Sequence, residues 1–250
     1  MGRPLDKDLL GVEDVADLMG VGKATVWRWC REGRLPCLKV GKHWFVRREA
    51  LENFLKRREQ STTLVGQLGS FLRVPDNVLA ITQNRDILRR LDAAFFQVGE
   101  ARGGLLVKFY ADEDTSEEEL LAQFEENGLE AGRLKREGRL LMRPEEDPLG
   151  GRQDVLGRLI EEKAGEGRTV WASFDWVVPV ELETALEQQQ RLSELIGGGQ
   201  QLVVKTAALE DAIDEWSPAN LRWAQSFHSG TIVASENGLS LHRTTPMPPS

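Results

Sequence analysis

The chain has 250 residues, 40% of them hydrophobic, with 40 acidic against 32 basic side chains and a formal net charge of −8. That length suits two domains better than one. With no apolar run long enough to cross a bilayer and no charged-then-apolar signal segment at Met1, neither a membrane protein nor an exported one is expected.

The only two cysteines, Cys30 and Cys37, cannot build a disulfide framework. A reduced, cytoplasmic, nucleoid-associated protein is expected. The net charge hides an asymmetry: residues 1–60 hold 13 basic and 9 acidic side chains, a balance of +4, and the remainder stands at −12. A mildly basic head on an acidic body suits a DNA-binding head whose body stays off the phosphates. Drift of surface charge between domains would look the same.

In chain order, residues 1–9 read as a loose arm. Val12, Val15, Ala16 and Met19 recur at helical spacing and give one apolar stripe to a short helix, Val12–Met19. Glu13 and Asp14 sit in its first turn, where the helix dipole favours acids. Gly20-Val21-Gly22 breaks the helix and supplies the positive-φ corner of a helix-turn-helix. Lys23–Glu32 is the second helix, with Gly33 as its C-cap. Val26, Trp29 and Cys30 face inward, leaving Lys23, Thr25, Trp27, Arg28 and Arg31 on an outer face that can reach base edges or phosphates in a major groove. Leu38–Val40 and His43–Val46, joined by Gly41-Lys42, read as a two-stranded wing with Lys39, Lys42 and His43 near the phosphates. Arg48–Arg58 is a third helix whose Ala50, Leu51, Phe54 and Leu55 close a small core. Gln60–Val74 loses periodicity and reads as a linker with a short helix around Leu64–Leu72.

The run GVGKATVWRWCREGRLPCLKVGKHWFVRREALENFL, Gly20 to Leu55, resembles the excisionase-like, MerR-type helix-turn-helix family. The shared pattern is a Thr-Val-aromatic-Arg recognition helix, a Gly-x-Leu-Pro turn, an aromatic-containing wing and an Arg-x-Glu-x-Leu helix start. The resemblance implies binding of double-stranded DNA by the recognition helix and wing, usually as a dimer on an inverted or direct repeat.

From Asp76 the pattern changes. Asn77–Thr82, Leu105–Tyr110, Leu140–Arg143, Thr169–Phe174, Leu202–Thr206 and Thr231–Ala234 read as strands. Arg85–Val98, Ser116–Asn127, Gln153–Ala164, Pro179–Ile196 and Pro218–Phe227 read as helices, the second opened by Thr115/Ser116 with Glu117–Glu119 in a capping arrangement. Strands alternating with helices predict a doubly wound α/β domain with a mostly parallel sheet. Ligands of such sheets sit beyond the carboxyl ends of the strands. That nominates Thr82, Tyr110, Asp112, Asp175, Trp176 and Lys205 as pocket residues, with Gln83, Glu145 and Thr206 beside them.

Residues 76–243 also resemble the methanogen/methylotroph sensory (MEDS) family. Asp76-Asn77-Val78, Gly104–Tyr110, Asp112–Glu119, Leu134–Leu141, Trp176, Trp216-Ser217-Pro218, Leu221, His228 and Ile232-Val233 carry the likeness. It implies a RecA-like fold that senses a small organic ligand. Asn77 stands where that family has a histidine, and Lys205-Thr206 stands where it has Tyr-Asp, so the family's ligand does not carry over.

Gly20–Thr25 imitates a phosphate loop, but Ala24 follows Lys23 and the segment joins two helices. The body holds no other Gly-Lys-Ser/Thr, so an ATPase is not expected. Cys30, Cys37 and His43 match no zinc spacing, and no metal or cofactor is expected. His228 reads as a satisfied buried polar group or as pocket lining. Trp171, Trp176, Trp216 and Trp223 read as core packing, or as an aromatic-lined pocket or dimer surface.

The expectation is a sequence-specific transcriptional regulator, not an enzyme, working as a homodimer. Its layout is an α+β winged helix-turn-helix domain over 1–58, a linker over 59–75, an α/β doubly wound (RecA-like), mostly parallel-sheet sensory domain over 76–243 and a tail over 244–250. The body would sense a small organic ligand or a protein partner. Alternatively it is a ligand-free dimerisation or docking module, with Glu181–Glu194 as an interface helix.

Overall fold

The computed structural model describes residues 8–110, 115–144, 151–164, 167–176, 181–197 and 201–244. Residues 1–7 of the expected arm, the pocket candidate Asp112, the acids Glu145–Asp147 and residues 245–250 of the expected tail lie outside the described residues. The chain divides into two compact units, Met1–Gln67 and Leu68–Ser250.

The first unit runs β1 (Leu9–Gly11), α1 (Val12–Met19), α2 (Lys23–Arg31), β2 (Cys37–Val40), β3 (His43–Arg47) and α3 (Arg48–Thr62). The stripe of α1 buries Val12, Val15 and Ala16, and that of α2 buries Val26, Trp29 and Cys30. These join Leu10, Leu35, Val46, Leu51 and Phe54 in one core, where the Trp29 and Phe54 rings lie 5.2 Å apart. Each large side chain buried here contributes roughly 1.5–3 kcal/mol. Of the two corner glycines only Gly20, at φ 63°, takes the left-handed conformation; Gly22 is extended at φ −68° and opens α2. The sheet order is β1-β3-β2, all antiparallel. Leu9 therefore belongs to a strand rather than to a loose arm.

Two free thiols were expected, and the structure corrects this: Cys30 and Cys37 form a disulfide, with Cα atoms 5.5 Å apart. The backbone explains the pairing. Arg34 and Leu35 donate their amides to the Trp29 carbonyl at 2.9 and 3.2 Å. That reversal brings the first residue of β2 back against the last turn of α2.

Helix α4 (Leu64–Phe71) crosses the division. Arg102 donates to the carbonyls of Gly69 (2.7 Å) and Leu72 (3.3 Å), and Leu68 and Leu72 are buried. The second unit continues with β4 (Asp76–Thr82), α5 (Arg85–Ala101), β5 (Leu105–Tyr110), α6 (Glu117–Glu126), α7 (Ala131–Arg136), β6 (Leu140–Pro144), α8 (Gly151–Ala164) and β7 (Val170–Trp176). Then come α9 (Leu182–Gly197), β8 (Leu202–Leu209), a 3-10 turn (Asp211–Ile213), α10 (Pro218–Ser226), β9 (Gly230–Ser235) and β10 (Gly238–Arg243).

The seven strands lie in the order β10-β9-β4-β8-β7-β5-β6, and only β10 runs antiparallel to its neighbour. This is the mostly parallel, helix-flanked sheet predicted from the alternation. Strand β10 and helix α7 were not anticipated, and β8 runs on to Leu209 instead of ending at Thr206. On one face α5 packs closely enough that a Cβ on Gly99 would meet Trp171 at 2.8 Å. On the other face Leu156, Leu159 and Ile160 of α8 and Leu192 of α9 cover Val107, Ala172, Phe174 and Val204. The expected cap of α6 is present: Ser116 Oγ accepts from the Glu119 amide at 3.2 Å, and the Glu119 carboxylate accepts from the Ser116 amide at 3.0 Å.

Candidate nucleic-acid interface

With its buried stripe fixed by Val26, Trp29 and Cys30, α2 turns an opposite face outward. At 3.6 residues per turn that face centres on Ala24, Arg28 and Arg31, flanked by Trp27 and Glu32. These five residues line one open depression of about 500 Å³. Trp27 is 55% exposed, unusual for so large an apolar side chain. Arg28 and Arg31 are exposed, and among the described residues neither forms an ion pair.

Lys23 and Thr25, also expected here, stand at the margins. Thr25 is half-buried. Lys23 is exposed, but its Nζ lies 2.5 Å from Glu13 Oε1; hydrogen bonding to that carboxylate holds the ammonium above its ordinary value. Ala24 and Glu32 were missed, although the helical spacing already placed them on the outer face.

The β2–β3 hairpin carries Lys39, Lys42 and His43, all exposed. Lys39 pairs in register with Trp44 and lays its ammonium over that ring, 5.6 Å from the centroid. This keeps the charge outside while its stem covers apolar surface. Leu38 and Val40, 43% and 63% exposed, were not singled out from the sequence. Basic side chains beside an exposed aromatic, on a helix and an adjoining hairpin, match what phosphate contact and base-edge readout require.

The candidate ligand residues of the body behave differently. Lys108, Ser173 and Lys205 are register neighbours on three adjacent strands, and Asp92 of α5 lies over them. Asp92 accepts from Lys108 Nζ at 2.8 Å and from Ser173 Oγ at 2.7 Å, and pairs with Lys205 Nζ at 2.6 Å. Lys108 also binds Asp175, which pairs with Arg89 at 3.3 Å. Burial alone would push the Asp92 carboxyl up. Lys108 and Lys205 together pull it further down, well below the usual carboxylate range. Lys205 was expected at a strand end; because β8 continues to Leu209 it sits inside the sheet, fully buried.

The remaining candidates do not converge either. Thr82 is fully buried and donates to the Ala208 carbonyl at 3.4 Å. Tyr110 donates to Glu117 at 3.5 Å, and burial together with that carboxylate raises its phenol. Trp176 packs on Ala208 and Ile213, with Trp216 6.3 Å away, and donates to Gln188 at 3.2 Å. Of the four tryptophans expected in core or pocket, Trp171 is fully buried while Trp223 is 48% exposed. His228 is fully buried with Nδ1 3.1 Å from the Ala224 carbonyl, and burial lowers its imidazole to about 4. Near the carboxyl ends of β7 and β8 lies an open depression of about 520 Å³, lined among others by Glu181, Asp211, Glu215 and Trp216. No described helix is long and apolar enough to cross a membrane.

Residues 9–59 match the helix-turn-helix domain family. Two Mycobacterium tuberculosis proteins, "Putative DNA-binding protein MT0521" and "Putative DNA-binding protein Rv0500A", are each 38% identical over 55 residues, covering 22% of this chain and 70% of each relative. Among solved structures, the KaiC-like protein PH0186 of Pyrococcus horikoshii OT3 is similar at a TM-score of 0.44 and 13% identity, over 68% of this chain and 77% of that one. Through its N-terminal unit, the chain belongs to the helix-turn-helix domain family.

Proposed function

We propose that the protein is a sequence-specific transcriptional regulator that binds double-stranded DNA as a homodimer. The observation that carries this reading is the outer face of α2. Arg28 and Arg31 stand exposed beside Trp27, next to a hairpin bearing Lys39, Lys42 and His43. The family match and the mycobacterial relatives support it. In this reading α2 enters the major groove. Arg28 and Arg31 donate to guanine edges or phosphates, while Trp27 and Ala24 meet thymine methyl groups. The hairpin acts as the wing, its cations lying along the backbone. Lys23 exchanges Glu13 for phosphate. Two heads are invoked because one small domain covers little DNA and two-fold operators match two-fold proteins.

The test is selection from a random duplex library by the full chain, followed by affinity measurement on the winning sequence. Enrichment of one motif, lost with Arg28→Ala, supports the reading. Absence of enrichment, with Arg28→Ala inert, counts against it.

The body is proposed as a non-catalytic, RecA-like, MEDS-type domain; the diffuse motif likeness and a parallel sheet with one reversed edge strand support this. Between sensing a small organic ligand and serving as a ligand-free dimerisation or docking module, the second is favoured. Asp175 and Lys205 are tied to internal partners and Trp176 is packed away. Native mass spectrometry separates the two: a dimer without a passenger supports docking, and a co-purified organic molecule supports sensing.

A further inference from the structure

We infer that the Cys30–Cys37 disulfide is a thiol–disulfide exchange site that sets the DNA affinity of the head, with small thiols and disulfides as its reactants. This rests on the DNA-binding reading above. Its position carries the inference. The bond ties the last turn of α2 to the first residue of β2. Every side chain proposed to touch DNA stands on α2 or on the β2–β3 hairpin. The connecting segment Glu32–Pro36 is exposed except at Leu35. The disulfide is therefore a covalent tie between the two parts that must meet groove and backbone at one fixed spacing.

Access is unequal. Cys30 is 7% exposed on the core face of α2, whereas Cys37 is half-buried. An incoming thiolate therefore reaches the Cys37 sulfur. Arg31, Arg34 and Lys39, exposed neighbours in the chain, favour an anionic attacker. The thiolate bonds to Cys37 Sγ, the Cys30–Cys37 bond breaks, and Cys30 leaves as a thiolate that takes up a proton. A second thiolate then attacks the small-molecule sulfur of the mixed disulfide. The small-molecule disulfide forms, and Cys37 leaves as a thiolate that takes up a proton. Two thiols are oxidised, one protein disulfide is reduced, and an oxidised small thiol runs the sequence backwards.

With the bond intact, α2 and the hairpin are held in the binding arrangement before DNA arrives. With it cut, part of that ordering falls on the binding step and weakens it. The head is expected to keep its core in either state, because that core extends beyond Cys30 to Val15, Val26, Trp29, Leu35, Val46 and Phe54, all buried.

The full chain is incubated with oxidised glutathione or with the phosphine reductant TCEP, labelled with a maleimide and weighed intact. Both forms and Cys37→Ser are titrated against the selected duplex, with thermal melting followed alongside. Expected are no adducts on the oxidised form and one on each of the two cysteines of the reduced form. The reduced chain and Cys37→Ser should bind on the order of tenfold more weakly. Melting of the head should be retained, and re-oxidation should restore affinity to the wild type alone. Equal affinity in the two states overturns the inference and leaves the DNA-binding reading standing. Full labelling after oxidation, or unfolding of the head on reduction, also overturns it. No binding in either state removes the reading on which it rests.

Discussion

The two units place the same residue types in opposite settings. In the head, Arg28, Arg31, Lys39 and Lys42 are exposed, and the ion pairs described there, Lys23–Glu13 and Arg34–Glu32, lie at the surface. In the body, Lys108 and Lys205 are fully buried and share the carboxylate of Asp92. A cation left in water can exchange its hydration for a phosphate at little cost. A cation taken out of water is tied to its carboxylate, since losing that partner leaves a bare charge in low dielectric. Charge count alone does not find an interface; burial and partnering decide which cations are available.

The largest expected effect breaks the buried side of this contrast. Asp92→Ala strips both lysines of their shared partner and should destabilise the body by ~3–5 kcal/mol in urea denaturation. A loss near zero would mean the lysines are not held as described. Because the folded carboxyl lies below its unfolded value of about 4, its contribution is present above that pH and is lost as the pH falls further.

His228 gives a second, milder acid limb. Its folded imidazole, at about 4, takes a proton less readily than the unfolded one at about 6.5. Stability should therefore fall as pH drops from about 6.5 to about 4, by at most ~3 kcal/mol. His228→Gln should flatten that limb, which denaturation at about pH 7 and about pH 4.5 would reveal.

On the exposed side, Arg28→Ala should cost ~1–3 kcal/mol on the selected duplex and relax preference at one base position, read by competition titration. The smallest effect belongs to Glu13→Ala. It frees Lys23 from its carboxylate and should raise affinity slightly at low salt, a gain that added salt removes.

How much of this was legible in the sequence follows from where the information lies. Helix α1 was read with its bounds intact, because an apolar stripe and a glycine stop are local signals. Strand β1 was missed: three residues are too few for periodicity, and its partner β3 lies far along the chain. Strand β8 was cut short at Lys205-Thr206, because a lysine reads as a strand end until Asp92 on a distant helix is known to meet it. The same error turned a buried structural lysine into a pocket candidate. The outer face of α2 was legible in its cations, but Ala24 and Glu32 were passed over for lacking obvious chemistry. The disulfide was invisible, since Cys30 and Cys37 are brought together by a chain reversal that residue types do not announce.

The claim that the head's exposed cations meet phosphate is tested most directly by the salt dependence of duplex binding. It should be measured for the full chain, for Lys42→Ala and, as a body control, for Arg133→Gln, whose charge sits among Glu100, Glu130 and Glu137. Log affinity should fall linearly with log salt. Lys42→Ala should weaken binding evenly across sequences and reduce the slope by about 1, with Arg133→Gln unchanged. Salt-independent binding, or a slope that responds to Arg133→Gln and not to Lys42→Ala, would contradict it.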